Sequence, residues 1–239
     1  MWTRELLKRN AKEIFKRNYW TCVGVSLVLA VLTGGGSSVI GRTEETTPVF
    51  LIIIMEVIIT MGDSARGFMI SMAVVAVTLI VVLAAVAFTI FAGNVFKIGG
   101  CSFFIKNRTM TGTFGNILDG FKSGHYGNVV KTMFFYDLYI ALWSLLLVVP
   151  GIIKSYEYRM VPYILAENPG MDSKQVFEIS KRMMNGQKME TFILDLSFIG
   201  WALVAGITCG IAGVFYVAPY VNATNTEYMH LIKFRLYNE

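Results

Sequence analysis

From Phe68 to Phe96, between Arg66 and Lys97, the chain carries 29 consecutive residues without a charged side chain. Wound as a helix at 1.5 Å per residue, such a run is about 44 Å long, more than the ~30 Å hydrocarbon core of a bilayer. It predicts a transmembrane helix long enough to tilt or to project from the bilayer. The remaining composition fits the same solvent: 55% of the 239 residues are hydrophobic and 15% charged, against roughly 25% charged in an average soluble domain. A soluble protein of this length needs a charged surface that these residues cannot supply, so the missing surface faces lipid. The net charge of +5 does not point to nucleic acid, because Lys and Arg gather between apolar runs rather than on one face interleaved with aromatics.

Charge placement sets the expected orientation. Residues 3 to 17 read as an amphipathic helix, with Leu6, Leu7, Ala11, Ile14 and Phe15 at helical spacing and Thr3 available as N-cap. In it six cations (Arg4, Lys8, Arg9, Lys12, Lys16, Arg17) face two carboxylates (Glu5, Glu13), a net +4 that places this end in the cytoplasm and suits a helix lying on anionic lipid. Tyr19 and Trp20 then mark the interface. The uncharged run Asn18 to Gly41, with VGVSLVLAVL followed by GGGSS, fits either an uncleaved first span or a secretory signal. The anchor is the expectation, since further spans follow. Residues 42 to 66 hold Arg42 and Arg66 against Glu44, Glu45, Glu56 and Asp63, which places them outside. Their apolar stretch VFLIIIMEVIITM is too short to cross as a helix and contains Glu56, so it reads as interfacial or re-entrant. Beyond Phe96, Lys97, Lys106, Arg108 and Lys122 outnumber Asp119 and return the chain to the cytoplasm.

Past residue 110 two segments match at a nearly constant offset, the mark of duplicated structural units. Asp137, Leu138 and Trp143 correspond to Asp195, Leu196 and Trp201, each shifted by 58; Gly151 and Ile152 to Gly210 and Ile211, and Gly127 to Gly186, shifted by 59; Pro162, Tyr163 and Ala166 to Pro219, Tyr220 and Ala223, shifted by 57. Each unit has a basic amphipathic preface, an apolar helix with a Trp, a Gly break and a second helix ending near Pro-Tyr. This is a helical hairpin that begins and ends on one side, so the repeat is parallel. The stretch AKEIFKRNYW and the spans after it are read as a third, diverged copy. Leu196 to Thr226 is 31 uncharged residues, too long for one simple span, and Gly206, Gly210 and Gly213 supply an outer turn; Gly206 and Gly210 also fit a small-residue packing face.

The expected fold class is therefore all-α: a polytopic transmembrane bundle of about six spans, near residues 19–38, 68–96, 131–149, 152–166, 190–206 and 211–233, with both termini cytoplasmic. The expected organisation is an amphipathic helix over 1–18, a first membrane hairpin over 19–110 with the extracytoplasmic segment 42–66, hairpin repeat 1 over 111–168 and hairpin repeat 2 over 169–239. The span at 152–166 carries Lys154, Glu157 and Arg159 and rests on the repeat rather than on hydropathy.

With PGII, VPYILAENP, DLSFIGW and the opening MWTRELLKRNAKEIFKRNYW, the chain resembles the bacterial integral membrane family catalogued as domain of unknown function 975, over nearly its whole length except about 42 to 66. It is also distantly similar to the membrane domain that precedes some glycerophosphodiester phosphodiesterases. The resemblance implies a bacterial cytoplasmic membrane protein and supplies no reaction, cofactor or catalytic residue.

Little in the residues points to catalysis. There are two histidines, no HExxH, no Gly-x-Ser-x-Gly elbow and no phosphate-binding GxxxxGK[ST] loop, so an enzyme is not expected. Cys22, Cys101 and Cys209 lie in separate apolar runs and read as small hydrophobes rather than a disulfide or metal set. His125 reads as a loop residue and His230 as interfacial. Asp137 and Asp195 fit helix N-caps, with a proton relay as the alternative. The strongest polar signal is a departure from repeat symmetry. Lys154, Glu157 and Arg159 occur in the first unit, whereas the matching IAGVFYVAPY has no charge. Together with Asn222, Asn225 and Glu227 they are the candidate lining of a polar cavity that binds an ion, a lipid head group or a peptide; snorkelling or structural pairing is the alternative.

Three functions remain open on sequence alone, a membrane-embedded enzyme being the third. The first is non-enzymatic transport or export of a small amphipathic molecule, lipid or peptide. The second is an accessory scaffold that docks a membrane partner such as an ABC transporter, or a second copy, through residues 3–17 and the stripe Val176, Ile179, Met183.

Overall fold

The computed structural model describes residues 3–33, 65–208 and 210–238. The GGGSS stretch, most of the segment 42–66 with its apolar run 49–61, and Cys209 lie outside the described residues. Every regular element among those described is helical. Three helices are long and apolar enough to cross a membrane, Met72–Arg108, Tyr126–Leu146 and Lys188–Ile207, and Tyr19–Leu32 is a shorter apolar helix.

The chain divides into two units, Arg42–Phe91 on the one hand and Met1–Gly41 with Ala92–Glu239 on the other. In the order of the whole chain, α1 is Arg4–Arg17, α2 is Tyr19–Leu32 and α3 is Ala65–Phe88. The smaller unit is described through α3, where Val77, Ile80, Val81 and Leu83 are exposed apolar side chains. Such a surface marks a face that meets lipid or another protein rather than water.

A π-turn at Thr89–Gly93 spans the boundary between the units, and the larger unit continues with α4, Asn94–Arg108. A 3-10 turn, Phe114–Leu118, and the short α5, Asp119–Lys122, precede α6, Tyr126–Leu146, and α7, Val148–Glu157. Then come α8, Val161–Glu167; α9, Ser173–Met184; α10, Lys188–Leu196; α11, Ile199–Ile207; a π-turn at Gly213–Val217; and α12, Ala218–Asn238.

At the centre α4 packs on both α8 and α12. The core they share includes Val95, Ile98, Phe103, Val161, Leu165, Val221 and Tyr228. Outer helices lean on this centre: α2 and α6 on α4, α10 on α7. The charged helices lie against it too. Thr3 caps α1 as expected, its hydroxyl accepting from Leu6 N at 3.3 Å. The stripe Leu7, Ala11, Phe15, one residue per turn, is buried against α12. The face expected to lie on lipid is therefore covered by protein, and each large apolar side chain so buried contributes roughly 1.5–3 kcal/mol. In α9 the stripe is again inward, with Val176, Ser180, Met183 and Met184 buried.

The turns differ in part from expectation. In the first repeat unit the corner is Leu147, an extended residue, and Gly151 sits inside α7. A Cβ on Gly151 would lie 2.6 Å from Ser144 Oγ and 2.7 Å from Ser144 Cα, so this glycine lets α7 lie close on α6 rather than breaking the helix. In the second unit the turn does fall at a glycine, Gly210, with φ +86°. A Cβ added at Gly206 or Gly210 would meet nothing within 4 Å among the described residues, which removes the small-residue packing face.

The stretch 152–166 is not one helix. It is interrupted at residues 158–160, between α7 and α8. Pro162 in the first turn of α8 explains the break: its ring has no N–H to give to the carbonyl of Tyr158 and would clash with that carbonyl in a continuous helix, so a fresh helix begins at Val161.

Candidate polar site

The polar site grows from this break. In α7 the first turns after the Leu147 corner are apolar and exposed at Val149, Ile152 and Ile153. Lys154 and Glu157 follow one turn apart, and Lys154 Nζ meets Glu157 Oε1 at 2.9 Å. The other carboxylate oxygen, Oε2, receives Lys188 Nζ from the first turn of α10 at 2.7 Å. Glu157 is thus held between two ammonium groups with its side chain only 12% exposed.

Two residues on, the chain leaves helical geometry and Arg159 turns its planar fork to Asp195 near the end of α10. Nη1 donates to Oδ2 at 2.5 Å and Nη2 to Oδ1 at 2.8 Å, a bidentate pair. Nη2 also donates to Asn225 Oδ1 of α12 at 3.0 Å. Tyr156 completes the set of donors around Asp195, its hydroxyl donating to Oδ2 at 3.0 Å. Below it the hydroxyls of Thr191 and Tyr228 stand 2.5 Å apart. The cluster ties α7, the break, α10 and α12 into one polar joint.

Its chemistry follows from saturation. Asp195 accepts from three donors and Glu157 from two cations. What they do is fix geometry: a guanidinium and a carboxylate, each 18% exposed, are stable there only as partners, because removing one strands the other charge.

The expected capping role of Asp137 and Asp195 is corrected. Asp137 lies in the middle of α6 and accepts from Asn94 Nδ2 at 2.7 Å, while Asp195 is the penultimate residue of α10. Both helices begin earlier than their acidic residues because each carboxylate has a donor from a neighbouring element. Buried polar side chains therefore mark contacts here, not helix ends.

Of the six residues expected to gather, Lys154, Glu157, Arg159 and Asn225 do. Glu227 pairs instead with Arg108 Nε of α4. Asn222 offers its backbone carbonyl to Thr226 Oγ1 at 2.9 Å, and among the described residues its side chain makes no hydrogen bond to the group. Lys188, Tyr156 and Asp195 complete the site. Lys188 had passed for part of a basic preface. The repeat offset had nonetheless marked Asp195, and the charge asymmetry between units had marked its partner.

His125 is exposed, with Nδ1 2.8 Å from Ser123 O. Cys22 is buried and receives Asn107 Nδ2 at 3.3 Å, and Cys101 is half-buried.

A family model described as "Protein of unknown function (DUF975)" matches residues 68–235. No curated protein and no solved structure matches the chain. The likeness to the membrane domain of glycerophosphodiester phosphodiesterases rests on the sequence stretches alone.

Proposed function

The chain belongs to the DUF975 family, and from that premise we propose that it is a multi-pass membrane protein, not an enzyme, that binds and moves a small amphipathic molecule along its helical hairpins. The observation that carries the reading is the pairing of two kinds of surface in neighbouring stretches of the chain. Exposed apolar residues, Leu145, Leu146, Leu147 and Val149 at one corner and Leu203, Ile207 and Ile211 at the other, flank in sequence the residues of the polar joint, Glu157, Arg159, Lys188 and Asp195. A ligand with a polar head and an apolar tail matches both.

In this reading the spans are those expected from the sequence, near 19–38, 68–96, 131–149, 152–166, 190–206 and 211–233, except that the fourth is a pair of short helices broken at 158–160, with both termini in the bacterial cytoplasm. The hairpins are three copies of one unit. Packing order supports that: each charged preface leans on the return helix of the unit before it, residues 114–122 on α4 and α9 on α8. Likewise α1 leans on α12, as though the last unit preceded the first. Docking of a partner through the stripe Val176, Ile179 and Met183 has less support, because Val176 and Met183 are already buried within the chain.

Mass spectrometry of the protein gently extracted in native lipid discs tests the proposal. A retained lipid or amphipathic solute, lost when Arg159 and Asp195 are replaced together by Gln and Asn, is expected. A stoichiometric protein partner with no retained small molecule would overturn it in favour of a scaffold.

A further inference from the structure

We infer that a second site, a cleft of ≈450 Å³ where α1, the end of α4 and α12 meet, binds a phosphate group. The site is separate from the polar joint and would hold in a protein that transports nothing. Its volume lies in the range of small-ligand pockets. The walls carry Glu13 and Arg17 from α1, Arg108 and Thr109 from α4, and Glu227 and His230 from α12.

The argument rests on how Arg108 is held. Its Nε donates to Glu227, whose residue is only 4% exposed, so a buried carboxylate fixes one edge of the guanidinium. The two Nη groups have no hydrogen-bond partner among the described residues, while the Arg108 side chain keeps 23% of its surface open. An arginine tethered through Nε and free at its Nη edge is set to grip two oxygens of a phosphate side by side. Arg17, exposed on the opposite wall, brings a second guanidinium to the same space. Glu227 already neutralises part of Arg108, and Glu13 stands at the rim, so the cleft favours a singly charged phosphodiester, or a phosphate carrying an amine, over a multiply charged anion. Tyr19 and Trp20 follow Arg17 after a single residue, Asn18, and open the apolar helix α2 beside the cleft. A phospholipid head group and a soluble phosphate ester share this chemistry.

The test measures binding to the full-length protein in detergent with glycerophosphoglycerol, a soluble singly charged phosphodiester, and in lipid discs of a phosphate-free glycolipid with or without phosphatidylglycerol. Three altered proteins accompany the wild type. They are R17Q, the double variant R108Q/E227Q, which removes both partners of the buried pair together, and K16Q, the same charge change one residue outside the cleft. Saturable binding is expected, weakened at least tenfold in R17Q and in the double variant and unchanged in K16Q. Binding of glycerophosphoglycerol identifies a soluble ester as sufficient; binding only to phosphatidylglycerol discs, with the same variant pattern, assigns a lipid head group. Absence of saturable binding to either probe would overturn the inference. So would equal weakening by K16Q and R17Q, which is the signature of general surface charge. A failure of this kind leaves the transport reading intact, because none of these residues belongs to the polar joint.

Discussion

Arg159 and Asp195 are the residues on which the polar joint turns. A half-broken buried ion pair costs more than its complete removal, because the surviving charge loses its compensation. We expect Arg159→Gln or Asp195→Asn each to destabilise the protein by about 3 kcal/mol, and the double variant to cost less than the sum, with a coupling of about 1–3 kcal/mol. Denaturation of the four proteins in detergent reads this cycle directly; additive losses would mean that the pair is not a unit. Asp119 makes a second case, outside the spans. Burial alone would raise its pKa, but donors from Lys106 at 2.6 Å, Ser102 at 2.6 Å and Asn116 at 3.0 Å outweigh burial and hold it below the usual carboxylate range. A depressed folded pKa gives stability that is present above the unfolded value, near 3.9, and is lost as pH falls through the folded one. Melting temperatures of the wild type and Asp119→Asn should therefore differ at pH 7 and converge at acid pH. At this scale the sequence revealed what lies within a turn or a repeat: Lys154 with Glu157 by spacing, Asp195 by its match to Asp137. It hid Arg108 with Glu227, 119 residues apart, because nothing local signals that two distant helices meet.

Helices carry their own logic of approach. Gly99 in α4 faces the 3-10 turn so closely that a Cβ would lie 1.8 Å from Ile117 O, whereas a Cβ on Gly206 in α11 would meet open space. Gly99→Ala must displace backbone and is expected to cost about 1–3 kcal/mol, while Gly206→Ala should be neutral or stabilising by up to about 1 kcal/mol through helix propensity. Thermal unfolding of the two variants side by side checks the contrast; equal effects would discount the close packing of α4. Most helices were legible as apolar periodicity, and the cap at Thr3 as residue type. The break at 158–160 was not, although Pro162 signals it, because the repeat suggested a continuous span there. The face of α1 was read correctly as a stripe and wrongly as a lipid contact. A helix buried on its neighbour and one lying on a membrane bury the same residues, and only tertiary packing tells them apart.

For the molecule as a whole, topology is the property that sequence and structure approach from different sides. Charge bias predicts residues 167–189 in the cytoplasm together with both termini. Single cysteines placed at the exposed positions Lys174 and Lys181 should react with a membrane-impermeant thiol reagent in inside-out vesicles and remain unlabelled in intact cells. Labelling in intact cells would reverse the orientation. The lipid-facing character of the whole was legible from one uncharged run and a scarcity of charge. The arrangement of return helices at the centre was not, since periodicity reports which face of a helix is apolar and never which neighbour will cover it.

The seating of α1 on α12 has a consequence for how the protein is made. The ribosome delivers α1 about two hundred residues before α12, so the stripe Leu7, Ala11, Phe15 lacks its partner until α12 has been made. During that interval its cations and apolar face suit an anionic membrane surface. Seating α1 on α12 then removes this apolar face from its surroundings, and a chain truncated before Ala218 leaves the face uncovered.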